Sequence, residues 1–320
     1  MGASKYRRAY VVGAYVPNGG THMAYHLGRI LERDFGVPAV AVTLGAETPD
    51  DGIHEYDLRM PAVTLAEMER DIRAEDILVV NPSFSSHQFG LRLPGFKLCY
   101  VQGFSTFALL DLKFDHFVAN SEFVRGFLRS VYALDVRVIP PFIDQAAFPL
   151  APAWAARPAA LVLPSRKGLP DVWQASFARV REIVAQRAPE IEFAEPLPER
   201  GIPHAQFLAR IAAVRHLLVL SAAEGFFLVG LEAMALGTLV CGYDGFGGRQ
   251  YMRPDENCTV AAYPNVEEVA ERLIAAVRDP QRSEAMARRG RETATQYSYA
   301  AFRRAWIEEL SRALRIEPRT

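Results

Sequence analysis

Short apolar runs alternate with longer stretches of helical period along almost the whole chain, and this alternation constrains the fold more than any other feature. In the first half the runs are Ala9–Ala14, Ala39–Leu44, Ile77–Asn81, Lys97–Gln102, His116–Asn120 and Val136–Pro140, short enough to be buried strands. Between them Ala24–Phe35, Leu65–Ala74 and Glu122–Tyr132 place apolar residues on one helical face. Asn120 or Ser121 caps the last of these, with the acid Glu122 in its first turn. Strands separated by helices pair in parallel, with helices covering both faces of the sheet.

The alternation breaks once. Phe148–Pro158 is rich in Pro and Ala, lacks a period, and reads as a linker. Strands then recur at Ala160–Leu163, Ile191–Ala194, His216–Ser221, Thr238–Gly242 and Thr259–Ala262, with helices at Asp171–Arg187, His204–Ala212, Leu228–Leu236 and Val266–Arg278. The tail, Gln281–Leu314, is helical. The fold class is therefore α/β, with two doubly wound, Rossmann-like domains, 1–148 and 149–298, and a closing segment 299–320. A chain of 320 residues suits two domains of roughly 150 each. Two such sheets are expected to face across a cleft, with ligands at the carboxyl ends of the strands.

Charge and cysteine usage narrow the function classes. Lys plus Arg number 36 and Asp plus Glu 37, so no global field draws the chain to nucleic acid. Cys99, Cys241 and Cys258 form no C-x-x-C pair and read as reduced core residues. The first apolar run is too short for a signal peptide, and no run approaches the roughly 20 apolar residues of a membrane span. The expected location is the cytoplasm, including the inner face of its membrane. Helix Ser121–Leu134 mixes Phe123, Phe127, Leu128 and Tyr132 with Arg125 and Arg129; a core-facing helix is the favoured reading and a weak peripheral membrane contact the alternative.

The segment Leu217–Gly237, LLVLSAAEGFFLVGLEAMALG, carries the most chemistry. An apolar strand ends at Ser221, a small-residue loop holds Glu224 and Gly225, and a helix starts near Leu228, with Glu232 one turn in. Backbone amides of Phe227, Leu228 and Val229 lie at the helix N-terminus, where the dipole favours an anion. A diphosphate there, flanked by carboxylates that accept hydrogen bonds from vicinal hydroxyls, suits a nucleotide sugar. Glu232 fits a ribose diol and Glu224 the transferred sugar.

Glu224 and Glu232, seven residues apart in the setting E-G-F-F-L-V-G-L-E-A-M-A-L-G, resemble the E-x7-E signature of glycosyltransferase family four, the group 1 glycosyltransferases. That resemblance implies a GT-B fold, retention of anomeric configuration, and a final helix crossing back onto the first domain. It assigns the donor to Gly225, Phe226, Phe227, Leu228 and Val229 with Glu232. Phe227 stands where the family has a second glycine, and its ring is expected near the donor sugar. Leu163–Gly168 resembles the family's Arg-Lys-Gly element, so Arg166 and Lys167 are implied as cations on the diphosphate; the further Gly-Arg pair of many members is replaced by Ala160-Leu-Val. Gly242–Met252 matches a glycine-rich stretch whose backbone can approach a sugar. Pro203, in Ile202-Pro-His, falls where members hold the nucleobase by backbone contacts.

The first half resembles the family more loosely. Val16–His22 follows the first strand, and the resemblance puts Gly19 and Gly20 along the pyrophosphate and His22 toward the acceptor. Asn81 and His87, in the loop Asn81–Gln88, are candidate acceptor contacts. Gln102 occupies a position where many members have a His; it can position a hydroxyl but not act as a base. Asn120-Ser-Glu122 and Val138–Asp144 also match and read as scaffold.

The chain contains no Asp-x-Asp, so no metal ligand is assigned and no cofactor is expected; the nucleotide diphosphate sugar is a co-substrate. A G-x-S-x-G nucleophile elbow is also missing. A retaining glycosidase needs two carboxyls about 5 Å apart on the scissile bond, which Glu224 alone does not provide. The implied reaction moves a sugar to a hydroxyl of a glycan, a lipid-linked or a small-molecule acceptor. UDP, GDP and dTDP donors all fit the residues named. The rivals are another GT-B enzyme (a phosphorylase or a nucleotide-sugar epimerase) and a non-catalytic nucleotide-sugar-binding module.

Overall fold

The computed structural model describes residues 5–13, 19–43, 60–81, 84, 87–103, 110–159, 161–166, 170–198 and 202–319. Two compact units make up the chain: Met1–Phe142 together with Tyr299–Thr320, and Ile143–Ser298.

The first unit holds β1 (Arg8–Val12), α1 (Gly19–Phe35), β2 (Ala39–Thr43), β3 (Ala62–Thr64), α2 (Leu65–Asp71), β4 (Asp76–Val80), α3 (Phe89–Arg92), β5 (Phe96–Val101), β6 (His116–Ala119), α4 (Glu122–Tyr132) and β7 (Arg137–Val138). Its strands are parallel in the order β3-β2-β1-β4-β5-β6-β7. Strand order reverses between β1 and β4, so the carboxyl ends of that pair form the switch point where doubly wound sheets take ligands. Tyr10, Val12, Leu78 and Val80 face one covered side of the sheet and Ala9, Val11, Ile77 and Val79 the other, the alternation that a sheet buried on both faces requires. On α4, Ser121 accepts a hydrogen bond from the Val124 amide at the helix start, while Val124 and Leu128 enter the core. The aromatic rings of Phe127 and Tyr132 pack beside them, and the Arg125 guanidinium pairs with Asp135.

The unit is completed by a helix from the far end of the chain, α10 (Tyr299–Leu314), which follows the five helices of the second unit. Phe302, Trp306, Leu310 and Leu314 recur every four residues and form one buried stripe. The Trp306 indole meets Tyr100 edge-on at 5.1 Å, and the Tyr100 hydroxyl donates to the Ile139 carbonyl at 2.7 Å. Arg303 pairs with Asp34 on α1. Glu309 is fully buried and takes His116 Nε2 at 2.6 Å, Arg312 at 2.5 Å and Arg137 at 3.4 Å.

Burial alone would raise the Glu309 carboxyl, but the hydrogen bonds from His116 and Arg312 outweigh it and hold the group at about 2. A carboxyl depressed in the folded state stabilises fully above its unfolded value, near 4.3, and loses that contribution as pH falls toward 2. Wild type and Glu309→Gln should therefore differ in stability by up to about 3 kcal/mol at pH 6, the gap closing between pH 5 and 2. Denaturation midpoints across that range check this, and a gap independent of pH would refute it.

The second unit holds β8 (Leu161–Ser165), α5 (Pro170–Arg187), β9 (Glu192–Phe193), α6 (His204–Ala212), β10 (His216–Val219), α7 (Leu228–Ala235), β11 (Leu239–Tyr243), β12 (Thr259–Ala261), α8 (Val266–Arg278) and α9 (Pro280–Ala294). The sheet is again parallel, in the order β12-β11-β10-β8-β9, with its switch point between β8 and β10.

The sequence-predicted linker is part of this unit rather than a tether. Phe148 and Ala151 pack on its core, Trp154 is buried among Val162, Trp173 and Leu239, and Arg157 is 6% exposed. The Arg157 fork donates to the carbonyls of Leu236 (2.8 Å), Gly237 (3.1 Å), Val214 (3.1 Å) and Pro152 (3.1 Å) and to Thr238 Oγ1 (3.0 Å). It thereby satisfies carbonyls at the C-terminus of α7 that the helix cannot pair by itself.

Candidate functional site

In the second unit Arg166 directly follows β8, and the E-x7-E segment follows β10, both at the switch point. After β10 the chain runs from Leu220 to Phe227 and enters α7. The Glu224 amide donates to the Gly245 carbonyl (2.8 Å), and the Gly247 amide donates back to the Glu224 carbonyl (3.2 Å). Glu224 thus sits in a short parallel bridge with Phe246, which extends the β10–β11 pairing beyond the sheet. Its side chain is partly exposed.

The glycine-rich stretch builds this bridge. A Cβ on Gly247 would stand 2.5 Å from the Glu224 carbonyl oxygen, and one on Gly242 would stand 1.8 Å from the Val219 carbonyl oxygen. Both glycines let β11 and its loop press against β10 and the Glu224 loop. Between them Phe246 adopts φ 62°, ψ −52°, and the Gly247 amide donates to the Gly245 carbonyl at 2.7 Å, a γ-turn of the rare, strained kind. Asp244 holds the turn, accepting from the Phe246 amide (2.8 Å) and from Arg249 (2.8 Å), whose guanidinium lies 4.7 Å above the Phe246 ring.

Phe227, the N-cap of α7, has φ 71°, ψ 61°, the left-handed region that favours glycine. Its ring is 2% exposed and points into the core, with Cδ1 against the Cβ directions of Gly230 and Gly248. The ring expected near the donor sugar is thus turned into the core: the missing side chains at Gly230 and Gly248 make room for it. The Tyr251 hydroxyl donates to the Phe227 carbonyl at 2.5 Å and fixes the turn from beneath. Burial, reinforced by Tyr297, pushes the Tyr251 phenol well above its usual range, so it remains a donor. Phe226 is buried against Tyr251 and Tyr297, Val229 is buried, and Leu228 is partly exposed at the helix start. What these residues present is backbone: the amides of the first turn of α7, which no intrahelical carbonyl serves.

Glu232, 4% exposed, lies on α7 with Oε1 2.8 Å from Nε2 of His204, the first residue of α6. The imidazole stacks on Phe207 at 6.3 Å. Pro203 is the exposed N-cap of α6 and makes no side-chain cap. His204 joins the site through this contact; in the sequence its signal is a histidine opening a helix, next to Pro203.

Arg166, directly after β8, is exposed, with its guanidinium carbon 5.9 Å from the Trp173 ring centroid. The Trp173 indole N–H donates to the Ser165 carbonyl, which fixes the ring under the arginine. Lys167 lies outside the described residues.

In the first unit Gly19 and Gly20 are the opening residues of α1, while Val16–Asn18 lie outside the described residues. Gln102, at the end of β5, donates through Nε2 to the Gly20 carbonyl (3.1 Å), and Asn120 donates to the Gln102 carbonyl (2.9 Å). His22, Gly20 and Gln102 are thereby brought together. His22 meets His26 edge-on at 4.4 Å and Phe142 at 5.7 Å. Burial, aided by Arg33 and Arg29, lowers His26 to about 4, so it is neutral at pH 7. Asn81 follows β4, the neighbour of β1 at the switch point, and its carbonyl accepts from Phe84. His87 packs with Phe84 (5.8 Å) and Phe89 (5.1 Å), in an aromatic setting. Among the described residues no group of three or more His, Cys, Asp or Glu could hold a metal ion, and no helix is long and apolar enough to cross a membrane.

Residues 201–293 match the family model described as glycosyl transferases group 1. Among curated proteins none matches the chain. Solved structures share the fold at low identity. Anabaena HepE, determined with UDP and glucose, is 14% identical, with a TM-score of 0.73 over 96% of this chain and 100% of that one. A glycosyltransferase from Rickettsia africae is 14% identical, with a TM-score of 0.71 over 97% and 99%. Sucrose-phosphate synthase from Thermosynechococcus elongatus is 15% identical, with a TM-score of 0.65 over 96% and 99%. With two parallel sheets, each with its own switch point, the chain has the GT-B fold, and its residues 201–293, which carry Glu224 and Glu232, match the group 1 glycosyl transferases.

Proposed function

We propose that the protein is a retaining, metal-independent glycosyltransferase that moves a sugar from a nucleotide diphosphate sugar to an acceptor hydroxyl. The observation that carries this reading is the placement of Arg166 and of the Glu224–Glu232 segment after the adjacent strands β8 and β10, at the switch point of the second sheet. The solved neighbour HepE, crystallised with UDP-glucose, supports a uridine diphosphate sugar as the first donor to test.

Each group then has a task. Glu232 accepts the ribose diol, and Glu224 accepts hydroxyls of the transferred sugar. Pro203 lies beside the base. Arg166, Lys167 and the amides of Phe227, Leu228 and Val229 meet the charge that grows on the diphosphate as its bond to the anomeric carbon breaks. The acceptor oxygen bonds to that carbon from the same face, and its proton passes to a departing diphosphate oxygen, so no side-chain base is needed. In the first unit Gly19, Gly20, His22, Asn81, His87 and Gln102 are assigned to the diphosphate and the acceptor. The acceptor is a carbohydrate, lipid-linked or small-molecule hydroxyl.

A thermal-shift screen against UDP, GDP, dTDP and their sugars in EDTA tests the reading. At 100 times its Kd, a nucleotide that binds only the folded chain adds about 2.7 kcal/mol. One nucleotide should raise the melting temperature of wild type but not of Glu232→Ala or Lys167→Ala. No shift with any nucleotide would remove the donor site and with it the transferase reading; binding without sugar transfer would favour a non-catalytic module.

A further inference from the structure

We propose that His204 is the positioning residue for Glu232, and that this pair makes the site selective for ribonucleotides over 2′-deoxyribonucleotides. The inference rests on the assignment of Glu232 to the ribose and adds a residue which that assignment lacks. Glu232 is almost wholly buried, and the hydrogen bond described for its carboxylate joins Oε1 to His204 Nε2 at 2.8 Å. A carboxylate offers about four lone-pair directions, and the imidazole N–H occupies one of them. The remaining directions suit a pair of vicinal hydroxyls.

A carboxylate with a free χ3 torsion would rotate among several orientations, since such terminal torsions are broad. His204 removes that freedom. Its own ring is fixed from the other side by Phe207, stacked at 6.3 Å with 19° between planes, and from below by its place at the first turn of α6. Both helices stand on the same core: Leu208 and Ile211 of α6 and Leu231 and Ala235 of α7 are buried in one cluster. The distance from His204 to Glu232 is therefore set by helix packing rather than by a loop. A rigidly aimed carboxylate rewards a ligand that presents both hydroxyls and gains little from one that presents only the 3′-hydroxyl. Hydrogen bonds to a charged group are worth enough for a preference of about tenfold or more.

The test measures binding of UDP, 2′-deoxy-UDP, GDP and 2′-deoxy-GDP by calorimetry to wild type, His204→Ala, His204→Gln and Glu232→Gln, with donor KM and kcat where transfer is seen. Wild type should bind one ribonucleotide about tenfold or more tighter than its 2′-deoxy form. His204→Ala should weaken the ribonucleotide about tenfold, leave the deoxy form within about twofold, and so erase the preference. His204→Gln, which keeps a donor, should restore part of it. Glu232→Gln, which keeps the shape but replaces one acceptor by a donor, should also lose it. Donor KM should rise in His204→Ala with kcat nearly constant. Equal weakening of both forms, or an intact preference in His204→Ala, would overturn the role of His204 while leaving the donor site in place. If wild type binds none of the four nucleotides, the donor assignment itself falls, and this inference with it.

Discussion

Replacing Arg157 by alanine is expected to destabilise the Ile143–Ser298 unit by about 3–5 kcal/mol, because it strands buried carbonyls at about 1–3 kcal/mol for each lost partner. The guanidinium is the sole cation reaching the carbonyls of Leu236 and Gly237 among the hydrogen bonds described, and it also binds Val214 and Thr238. Burial, together with Arg291 and Arg215, lowers its pKa, so the site tolerates the charge only through those acceptors and the Trp154 ring 5.8 Å away. For a unit of this size the loss corresponds to a fall of about 10 °C or more in its calorimetric transition. Arg157→Lys should recover only a minor part, since an ammonium cannot span carbonyls from two segments as a planar fork does. An unchanged transition in the alanine variant would show that the segment Phe148–Pro158 is not a structural strap.

Arg166→Ala is expected to lower kcat by about 10²–10³-fold, the usual cost of removing one preorganised group that faces charge developing in the transition state. The side chain is exposed and its described packing contact is the Trp173 ring, so the melting temperature should stay within a degree or two. Arg166→Lys should restore a fraction of the rate, because it returns the charge without the bidentate fork. Steady-state kinetics with the donor found by nucleotide screening decide the matter. A defect confined to KM would make Arg166 a ground-state anchor and remove its part in bond breaking.

How far the sequence reveals this molecule depends on the range of the forces involved. Helices His204–Ala212, Glu122–Tyr132 and Val266–Arg278 are legible to the residue, since caps and apolar periodicity are local. The fold class is legible for the same reason. Strand β3 and helix α3 are missed, being too short to show a period. The helical tail Gln281–Leu314 consists of two helices, parted after Ala294, the second of them Tyr299–Leu314. In the site, the strand–loop–helix around Glu224 is legible because the whole device lies in one stretch of chain. The partnership of His204 with Glu232 joins residues 28 apart and arises only when α6 packs on α7. The inward turn of Phe227 is equally hidden, because it depends on room left by Gly248, a residue on another loop. Pro and Ala in Phe148–Pro158 suggested a linker, since composition averages over the two residues, Trp154 and Arg157, that anchor it.

The first unit is discontinuous in sequence, and that has a consequence for synthesis. On the ribosome, residues 1–142 emerge long before α10, yet their core includes Phe302, Trp306, Leu310 and Leu314. The nascent first sheet must wait with one face covered only in part, by α1, while the contiguous unit 143–298 appears and can fold as a whole. Native order in time is thus the reverse of order along the chain: the contiguous unit 143–298 can close first, and the unit whose residues 1–142 emerge earlier is sealed last.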